Sequence, residues 1–244
     1  MLVQFIFDSG VNGTVATVIG VILCVIISYL LGSLNFGIIF SRLIYKQDVR
    51  SSGSGNAGST NMLRTYGKRA GIMTFAGDCL KTAVSIGIGF LVYDIYGMYF
   101  AGIACMVGHS YPVFFKFKGG KGVACFATLV LVISIATNMW YLFVILFVIF
   151  AVIVIGTKYV SLGSIVASLL YPILLNRFIE ISASMTTDEI MIQEILNLHA
   201  FDIYAVVAAF FVVFLHRSNL VRLFNGTENK ISLSKKKKEN EEAK

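Results

Sequence analysis

The chain has 244 residues, of which 57% are hydrophobic and 14% are charged, and its formal net charge is +7. Soluble domains are usually about 45–50% apolar and about 25% charged, so this composition excludes an ordinary soluble enzyme or binding module. The positive charge is divided among separate loops and a short tail at Lys235–Lys238, where it suits anionic headgroups or solvent. That distribution argues against a nucleic-acid partner.

Apolar segments dominate the chain and predict an all-α, polytopic membrane protein. A membrane-spanning helix needs about 20 apolar residues. The stretch 122–156 is divided at Thr137-Asn138, because one helix of that length would run about 50 Å against a core of about 30 Å. Seven transmembrane helices are therefore predicted in one domain, 1–230, followed by a charged and disordered tail, 231–244. The apolar segments are 14–45, 70–93, 97–115, 122–137, 139–156, 159–177 and 200–215.

The distribution of basic residues predicts the orientation of these helices. Cytoplasmic loops of membrane proteins carry an excess of Lys and Arg. Here the first, third and fifth loops and the C-terminal segment are basic, whereas the other loops are mainly acidic. We therefore expect the N-terminus outside and the C-terminus in the cytoplasm, which requires an odd number of crossings. The basic residues of these three loops and of the segment directly after the last span are Arg42, Lys46, Arg50, Arg64, Lys68, Arg69, Lys116, Lys118, Lys121, Lys158, Arg217, Arg222 and Lys230.

The first basic loop contains the polar run GSGNAGSTNMLR at residues 53–64. Its G-x-G-x-x-G spacing, with Asp78 downstream, matches a dinucleotide fingerprint, but that motif requires a preceding strand and a βαβ unit. Small amide and hydroxyl groups suit a polyol phosphate instead, and Arg64 could bind a phosphate through two hydrogen bonds. The alternative is a plain Gly/Ser loop with a helix N-cap.

Asp78 and Lys81 lie three residues apart in the next apolar segment. Ionisable residues inside a membrane helix are costly and are usually paired. The spacing favours a structural ion pair that anchors the motif loops over direct contact with a substrate.

The third loop reads GHSYPVFFKFKGGKG from residue 108 to residue 122, directly after an apolar segment. Glycines leave backbone N–H groups open to close approach, and a neighbouring ammonium adds positive charge, so the run predicts a nest for a phosphate-like anion. The alternative is a glycine-capped helix end with anchoring lysines.

Two more polar clusters flank the last spans. Ser164 belongs to the run SLGS at 161–164, which could equally be a small-residue packing site. His216, Asn219 and Arg222 fall on one helical stripe, which could equally contact headgroups. A serine protease using Ser164 and His216 is rejected, because the Gly-x-Ser-Gly element is missing. No His, Asp and Glu spacing suggests a metal, and the four cysteines are isolated.

Taken in order, these blocks resemble the bacterial acyl-phosphate:glycerol-3-phosphate acyltransferase family over nearly all of the chain. The matching blocks are YLLGS with FG at 29–37, GSGN-x-G-x-TN-x-x-R at 53–64, D-x-x-K at 78–81, GHxxPVFFxFKGGKGVA at 108–124, SLGSI at 161–165 and HRxNxxRL…GTE at 216–228. The departures from the usual pattern, which affect packing positions, are Asn35, Ala57, Ser59 and Cys125.

The resemblance implies an enzyme of the bacterial plasma membrane with its site near the cytoplasmic face. It implies acyl phosphate as donor, glycerol 3-phosphate as acceptor, lysophosphatidic acid as product, no cofactor or metal, and a soluble acyl-phosphate-forming enzyme as a candidate partner. The general base stays open between His109, His216 and the donor's own phosphate. A multi-pass carrier for organic phosphates is the rival function, although no internal repeat supports it.

The motifs and this resemblance together predict the site residues in three groups. The catalytic group is Ser54, Arg64, Lys121, His216 and Asn219. The phosphate-binding group is Gly53, Gly55, Asn56, Asn61, Gly119, Gly120, Gly122 and Ser164. The supporting group is Ser33, Asp78, Lys81, His109, Arg222 and Glu228.

Overall fold

The computed structural model describes residues 13–185, 187–189, 192, 195 and 198–231. Residues 1–12 of the predicted domain and residues 232–244 of the predicted tail lie outside the described residues. Within them the chain forms helices and no β-strand. The helices are α1 (Gly13–Ser33), α2 (Phe36–Tyr45), α3 (Ser59–Tyr66), α4 (Lys68–Ser110), α5 (Val123–Ala136), α6 (Trp140–Thr157), α7 (Val160–Ser184), α8 (Asp202–Leu215) and α9 (Arg217–Phe224).

Helix α4 is two antiparallel helices joined by a tight reversal. Tyr93 and Asp94 leave helical geometry, with φ/ψ of −149°/44° and 48°/−140°. Gly89 and Gly97 then pack so closely that a Cβ on either one would strike the other's carbonyl oxygen. The predicted segments 70–93 and 97–115 are therefore separate helices. The second ends at Ser110 rather than at residue 115, because Pro112 disfavours helical geometry in the residue before it.

The helices are long and apolar enough for a membrane. Four stretches could span one by length and composition: Thr14–Tyr45, Lys68–Phe115, Trp140–Thr157 and Val160–Ser184. Helices α8 and α9 form a fifth candidate that is bent by 57°. Helix α5 is apolar and shorter. The described residues thus form an all-helical protein of the integral-membrane type.

The core lies between α4, α5, α7 and α8. Tyr99 and Tyr171 are fully buried there, and their hydroxyl groups form a hydrogen bond of 2.9 Å. Because each hydroxyl partners the other, burial leaves neither one unsatisfied. The outer surfaces instead expose large apolar side chains, such as Ile155 (78% exposed) and Phe210 (68% exposed), as expected of a surface that faces lipid.

The loops that carry the predicted motifs meet at one end of the helix bundle. They are the α2–α3 loop, the α4–α5 loop, the α6–α7 junction and the α8–α9 junction, followed by the segment after α9. The other reversals, at Tyr93–Asp94 and at Thr137-Asn138, lie at the far ends of their helices. Because successive loops lie at alternate ends of the bundle, polar blocks that are far apart in the sequence meet at the same end.

Candidate active site

A cavity of about 320 Å³ lies where these loops meet. It collects residues from six parts of the chain, and the predicted residues Ser54, Asn56, Asn61, Arg64, Asp78, His109, Lys121, Gly122, Ser164, His216, Asn219, Arg222 and Glu228 all line it. The cavity therefore joins the first and third polar loops to the SLGS run and the C-terminal stripe, as the sequence predicted.

Lys121 lies near the centre of this arrangement, in the loop before α5. Its ammonium donates a hydrogen bond to Oδ1 of Asn219. Burial, and after it the neighbouring charge of Arg222, lower the pKa of Lys121 to about 8, although Glu228 acts in the opposite direction. An ammonium whose charged form is disfavoured by burial gains most from a bound anion.

Glu228 holds the donors of the C-terminal part of the site together. Its Oε1 accepts hydrogen bonds from Ser161 Oγ (2.9 Å) and Asn219 Nδ2 (2.7 Å), and its Oε2 accepts from Arg222 Nε (2.8 Å). Burial alone would raise the pKa of Glu228, but the hydrogen bonds from Asn219, Arg222 and Ser161 outweigh it and keep that pKa below its ordinary value. This carboxylate remains ionised and links α7 to α9.

The charges of the cavity do not balance. Arg64, Lys121 and Arg222 are three cations, and the carboxylates that line the cavity are Glu228 and Asp78, of which Asp78 is already paired with Lys81. Arg64 is exposed at the rim, and its charge also lowers the pKa of Lys121. A surplus of positive charge beside buried donors is the electrostatic signature of an anion-binding site.

His216, at the bend between α8 and α9, is held as a neutral acceptor. Its Nδ1 lies 2.7 Å from the carbonyl oxygen of Val212, so Nδ1 carries the proton and Nε2 is free to accept one. Burial lowers the pKa of His216 to about 4, and the charge of Lys121 adds to this effect. The imidazole is therefore suited to orienting a hydroxyl group more than to removing its proton.

The α2–α3 loop is fixed to the α4–α5 loop by an arginine that sequence reasoning did not assign. Arg50 pairs with Asp48 (2.7 Å), and its Nη1 donates to the carbonyl oxygens of Phe115 (2.9 Å) and Lys118 (2.8 Å). The arginine–carboxylate pair spaced two residues apart was visible in the sequence. The carbonyl partners of Arg50 could not be predicted from the sequence, because every residue has a backbone carbonyl group.

Asn61 has a different role from the one predicted. Its Oδ1 accepts from the Ser54 N–H (2.9 Å), and its Nδ2 donates to the carbonyl oxygens of Val49 (3.1 Å) and Ser52 (2.9 Å). The amide is thus already occupied in holding the loop. Gly53 allows this arrangement, because a Cβ there would strike Oδ1 of Asn61 and its φ is +61°. Gly53 and Gly55 (φ +70°) shape the turn that places Ser54 at the rim.

The glycine nest predicted from the third loop also requires correction. The N–H groups of Gly119 and Gly120 donate to the carbonyl oxygens of Ser110 (3.0 Å) and His109 (3.1 Å), so they are not available to a phosphate. A Cβ on Gly120 would strike Nε2 of His109. These two glycines are needed for close packing against the end of α4.

The beginning of α5 supplies backbone donors in their place. Gly122, with φ +70°, is the N-cap of α5, and Val123 and Ala124 line the cavity. The first N–H groups of a helix have no acceptor within it, and the helix dipole favours an anion there. Lys121 precedes this helix start directly.

Asp78, Lys81 and His109 form a buried ionic cluster beneath the cavity. Nζ of Lys81 lies 2.9 Å from Oδ1 of Asp78 and 3.0 Å from Nδ1 of His109, and it also donates to the carbonyl oxygens of Gly32 (2.9 Å) and Leu34 (3.0 Å). The side chains of Lys81 and Asp78 are 3% and 1% exposed. The geometry matches the ion pair predicted from the sequence and extends it to His109.

Two predicted serines and one departure from the family pattern lie close by. Ser33 donates to the Tyr29 carbonyl oxygen (2.9 Å) and accepts from the Val113 N–H (3.4 Å), which ties α1 to the α4–α5 loop outside the cavity. Ser164 lines the cavity while donating to the Val160 carbonyl oxygen (2.9 Å). Asn35 caps α2 through the Ile38 N–H (3.1 Å).

One wall of the cavity is apolar, and sequence reasoning did not single out its residues. Phe75 of α4, Phe150 and Val154 of α6 and Val160 of α7 line it. Apolar residues that line a cavity and those that face lipid look alike in a membrane protein's sequence. Among the described residues, no group of three His, Cys, Asp or Glu side chains could hold a metal ion.

The chain is similar to known proteins over most of its length. The profile of the family described as glycerol-3-phosphate acyltransferase matches residues 22–226. The chain is 38% identical over 210 residues to the glycerol-3-phosphate acyltransferase of Thermoanaerobacter sp. (strain X514), covering 86% of this chain and 95% of that one. It is 37% identical over 220 residues to the enzyme of the same name from Clostridioides difficile (strain 630), covering 88% and 97%.

Two crystal structures of PlsY, described as an integral membrane glycerol 3-phosphate acyltransferase, have the same fold. The glycerol 3-phosphate form has a TM-score of 0.70 and the lysophosphatidic acid form a TM-score of 0.68, each at 32% identity over 87% of this chain and 96% of that one. The shared name of the relatives favours a transferase over the carrier that the sequence left open. The chain therefore belongs to the glycerol-3-phosphate acyltransferase family.

Proposed function

We propose that this enzyme transfers a fatty acyl group from acyl phosphate to the 1-hydroxyl of glycerol 3-phosphate, giving lysophosphatidic acid and inorganic phosphate. The observation that carries the proposal is a single cavity in which surplus positive charge meets an apolar wall. Arg64, Lys121 and Arg222 suit two phosphate-bearing substrates, and Phe75 and Phe150 suit an acyl chain. The family relationship supplies the acceptor, because one related structure is the glycerol 3-phosphate form.

Holding two anions together is the main task of such an enzyme. Each phosphate repels the other, and the cations of the site offset this repulsion while fixing the reacting atoms. We place one phosphate at Lys121 and the N–H groups that begin α5, where the helix dipole adds to the ammonium charge. Arg64 and Ser54, across the rim, are placed to bind the other.

The proposed reaction is a direct displacement at the acyl carbon. The 1-hydroxyl oxygen forms a bond to the carbonyl carbon, the bond between that carbon and the phosphate oxygen breaks, and the electron pair leaves with the phosphate. The hydroxyl proton passes to a phosphate oxygen. A mixed anhydride already contains a good leaving group, so the cations need only stabilise the charge that develops on it.

The site residues suit direct transfer better than an acyl-enzyme. A nucleophilic serine needs an adjacent base. Among the described contacts, Ser161 donates to Glu228 and Ser164 to the Val160 carbonyl, and neither is joined to His216. We assign His216 Nε2 to orienting the acceptor hydroxyl, and Asn219, whose amide binds Lys121 and Glu228, to positioning that lysine. Trapping a covalent acyl adduct during turnover, as seen by intact mass, would overturn direct transfer.

We further propose a topology of seven spans with the cavity on the cytoplasmic side of the bacterial plasma membrane. The reversal at Tyr93–Asp94 divides the stretch Lys68–Phe115 in two, and counting α5 and α8, the apolar part of the bent pair, then gives seven. The basic loops gather at the cavity end, which supports an outer N-terminus and a cytoplasmic C-terminal tail. A soluble enzyme that forms the labile acyl phosphate would then dock on this face.

Engineered thiols test the topology. Cysteines at Ser54 and Lys118, which are exposed at the cavity end, should react only with reagent that reaches the cytoplasm. A cysteine at Glu180, exposed near the far end of α7, should react from outside the cell. Labelling of Ser54→Cys by an impermeant reagent added outside intact cells would contradict the orientation.

Activity is tested with the purified protein in phospholipid vesicles. Acyl phosphate and glycerol 3-phosphate should yield lysophosphatidic acid and phosphate in equal amounts, whereas a thioester donor should yield none. Lys118→Met is a matched control, because Lys118 is a neighbouring exposed lysine whose ammonium does not line the cavity. Absence of product with acyl phosphate, from a protein that remains folded, would contradict the proposal.

A further inference from the structure

The short helix α9 presents two different faces. Asn219 and Arg222 lie on one face and line the cavity. Arg217, Val221 and Phe224 lie on the opposite face, spaced four and three residues apart. Val221 is 60% exposed and Phe224 is 88% exposed. Large apolar side chains that are exposed together, beside a basic residue, mark a surface for a membrane or another partner.

The apolar stripe on α9 continues a stripe on α8. Phe210 (68% exposed) and Phe214 (44% exposed) lie on the outer surface of α8, directly before the bend. At the bend, the Arg217 guanidinium lies 4.8 Å from the centroid of the Phe214 ring. The exposed surface thus runs from the lipid-facing side of α8, past a cation, onto Val221 and Phe224.

We infer that α9 lies in the bilayer interface, with Val221 and Phe224 below the headgroups and Arg217 at the level of the lipid phosphates. Its partner is the surface of an anionic phospholipid bilayer. Continuity with the outer surface of α8 supports this partner. So do the cations Lys158 and Lys230, which lie where the segment after α9 contacts the α6–α7 junction. An amphipathic helix with basic residues beside an apolar face is typical of this position.

The position of α9 has a consequence for the cavity. Because Asn219 and Arg222 share a short helix with Val221 and Phe224, seating the apolar face in the bilayer fixes the position of the polar face. The segment after α9 is fixed as well, since Glu228 binds Arg222 and the Ile231 N–H donates to the Lys158 carbonyl oxygen (2.8 Å). Val221 and Phe224 are therefore positioning residues that act through α9.

Depth-dependent quenching tests the position of α9 without any need for activity. Trp140 is the single tryptophan of the sequence, so Trp140→Phe with Phe224→Trp carries one fluorophore. In anionic vesicles its emission should be blue-shifted, and lipids brominated near the headgroup should quench it more than lipids brominated near the chain end. Lys118→Trp in the same background should remain unquenched. Water-like emission from the Phe224→Trp protein, or blue-shifted emission that bromine does not quench, would overturn the inference.

Turnover in the same vesicles tests the coupling between the two faces. Phe224→Ser should lower kcat/KM about tenfold, because an aromatic side chain that anchors α9 in the bilayer is lost, while Phe224→Leu should remain within about twofold. Phe210→Ser, on the lipid-facing surface of α8, should leave activity unchanged. Equal activity of Phe224→Ser and Phe210→Ser would overturn the coupling. The quenching experiment measures the position of α9 and does not depend on the proposed transferase activity, so the two proposals can fail separately.

Discussion

Two clusters of ionisable residues lie one above the other in this protein, and they differ in net charge. The lower cluster, Asp78, Lys81 and His109, is balanced: one carboxylate meets one ammonium, and backbone carbonyls accept the remaining protons. The upper cluster has three cations, Arg64, Lys121 and Arg222, against the carboxylate of Glu228. A cluster whose charges balance is stable without a ligand, whereas a cluster with surplus positive charge is stabilised by binding an anion.

The two clusters are also connected. His109 contacts Lys81 below and packs against Gly120 above, directly before Lys121. The lower cluster therefore fixes the loop from which the upper cluster takes its central ammonium. We expect changes in the lower cluster to affect folding and changes in the upper cluster to affect substrate.

The largest effect is expected from Lys81→Met. This change removes the ammonium from the buried carboxylate of Asp78 and leaves His109, 3.3 Å away, as its remaining ionisable partner, which should cost about 3–5 kcal/mol of stability. Three buried cysteines, Cys24, Cys105 and Cys125, provide a measurement, because a thiol-reactive dye reports their exposure on heating. Adding Asp78→Asn should recover part of the loss. Unchanged unfolding of Lys81→Met, relative to the exposed control Lys118→Met, would show that the cluster is not structural.

Next in size is Lys121→Met, which keeps the apolar stem and removes the charge. Folding should change little, while kcat/KM should fall about tenfold to a hundredfold. This decrease corresponds to the loss of one charged hydrogen bond, about 1.5–3 kcal/mol. The decrease is measured with acyl phosphate and glycerol 3-phosphate at equal amounts of folded protein. Activity within about twofold of the wild type would remove Lys121 from the site.

Gly120→Ala distinguishes packing from phosphate binding in the third loop. The added methyl group strikes His109, so stability should fall by about 1–3 kcal/mol together with kcat/KM. Gly122→Ala is the comparison, because its Cβ meets its nearest atom only at 3.5 Å and the cost is limited to a positive φ, about 1–2 kcal/mol. If Gly120→Ala stays stable and raises only KM, the amide of that residue binds substrate after all.

The smallest effect near neutral pH is expected from the titration of Lys121. The pKa of Lys121 is lowered to about 8, so its ammonium is charged at neutral pH and lost as the pH rises. We expect kcat/KM to fall on the alkaline side, by about tenfold for each unit above that pKa. Lys121→Arg keeps its charge over this range and should remove the alkaline fall. An identical fall in that variant would assign the titration to another group.

Much of the fold was predictable, because hydrophobic length and loop charge are local properties. The apolar segments match the helices, and the gap between residues 93 and 97 contains the reversal at Tyr93–Asp94. The predicted segment 97–115 extends five residues beyond the end of α4 at Ser110, because apolar residues such as Phe114 and Phe115 continue past the helix.

Which residues line the cavity was also largely predictable from the sequence, whereas the role of each residue was less so. Ser54, Lys121, His216 and Asn219 line one cavity as expected. Asn61 was assigned to phosphate because an amide is a good ligand, yet its amide already holds the loop. Whether an amide or a backbone N–H is occupied depends on carbonyl groups far away in the sequence, and every residue has one. No pattern of side chains could have shown that.

Equilibrium binding of glycerol 3-phosphate tests the central claim most directly. The wild type, Lys121→Met and the exposed control Lys118→Met would be compared by calorimetry in lipid nanodiscs, without donor. The surplus of positive charge predicts that Lys121→Met weakens binding at least about tenfold while Lys118→Met does not. Equal Kd values for all three proteins would show that the unbalanced cluster does not bind the acceptor, and would contradict this account of the site.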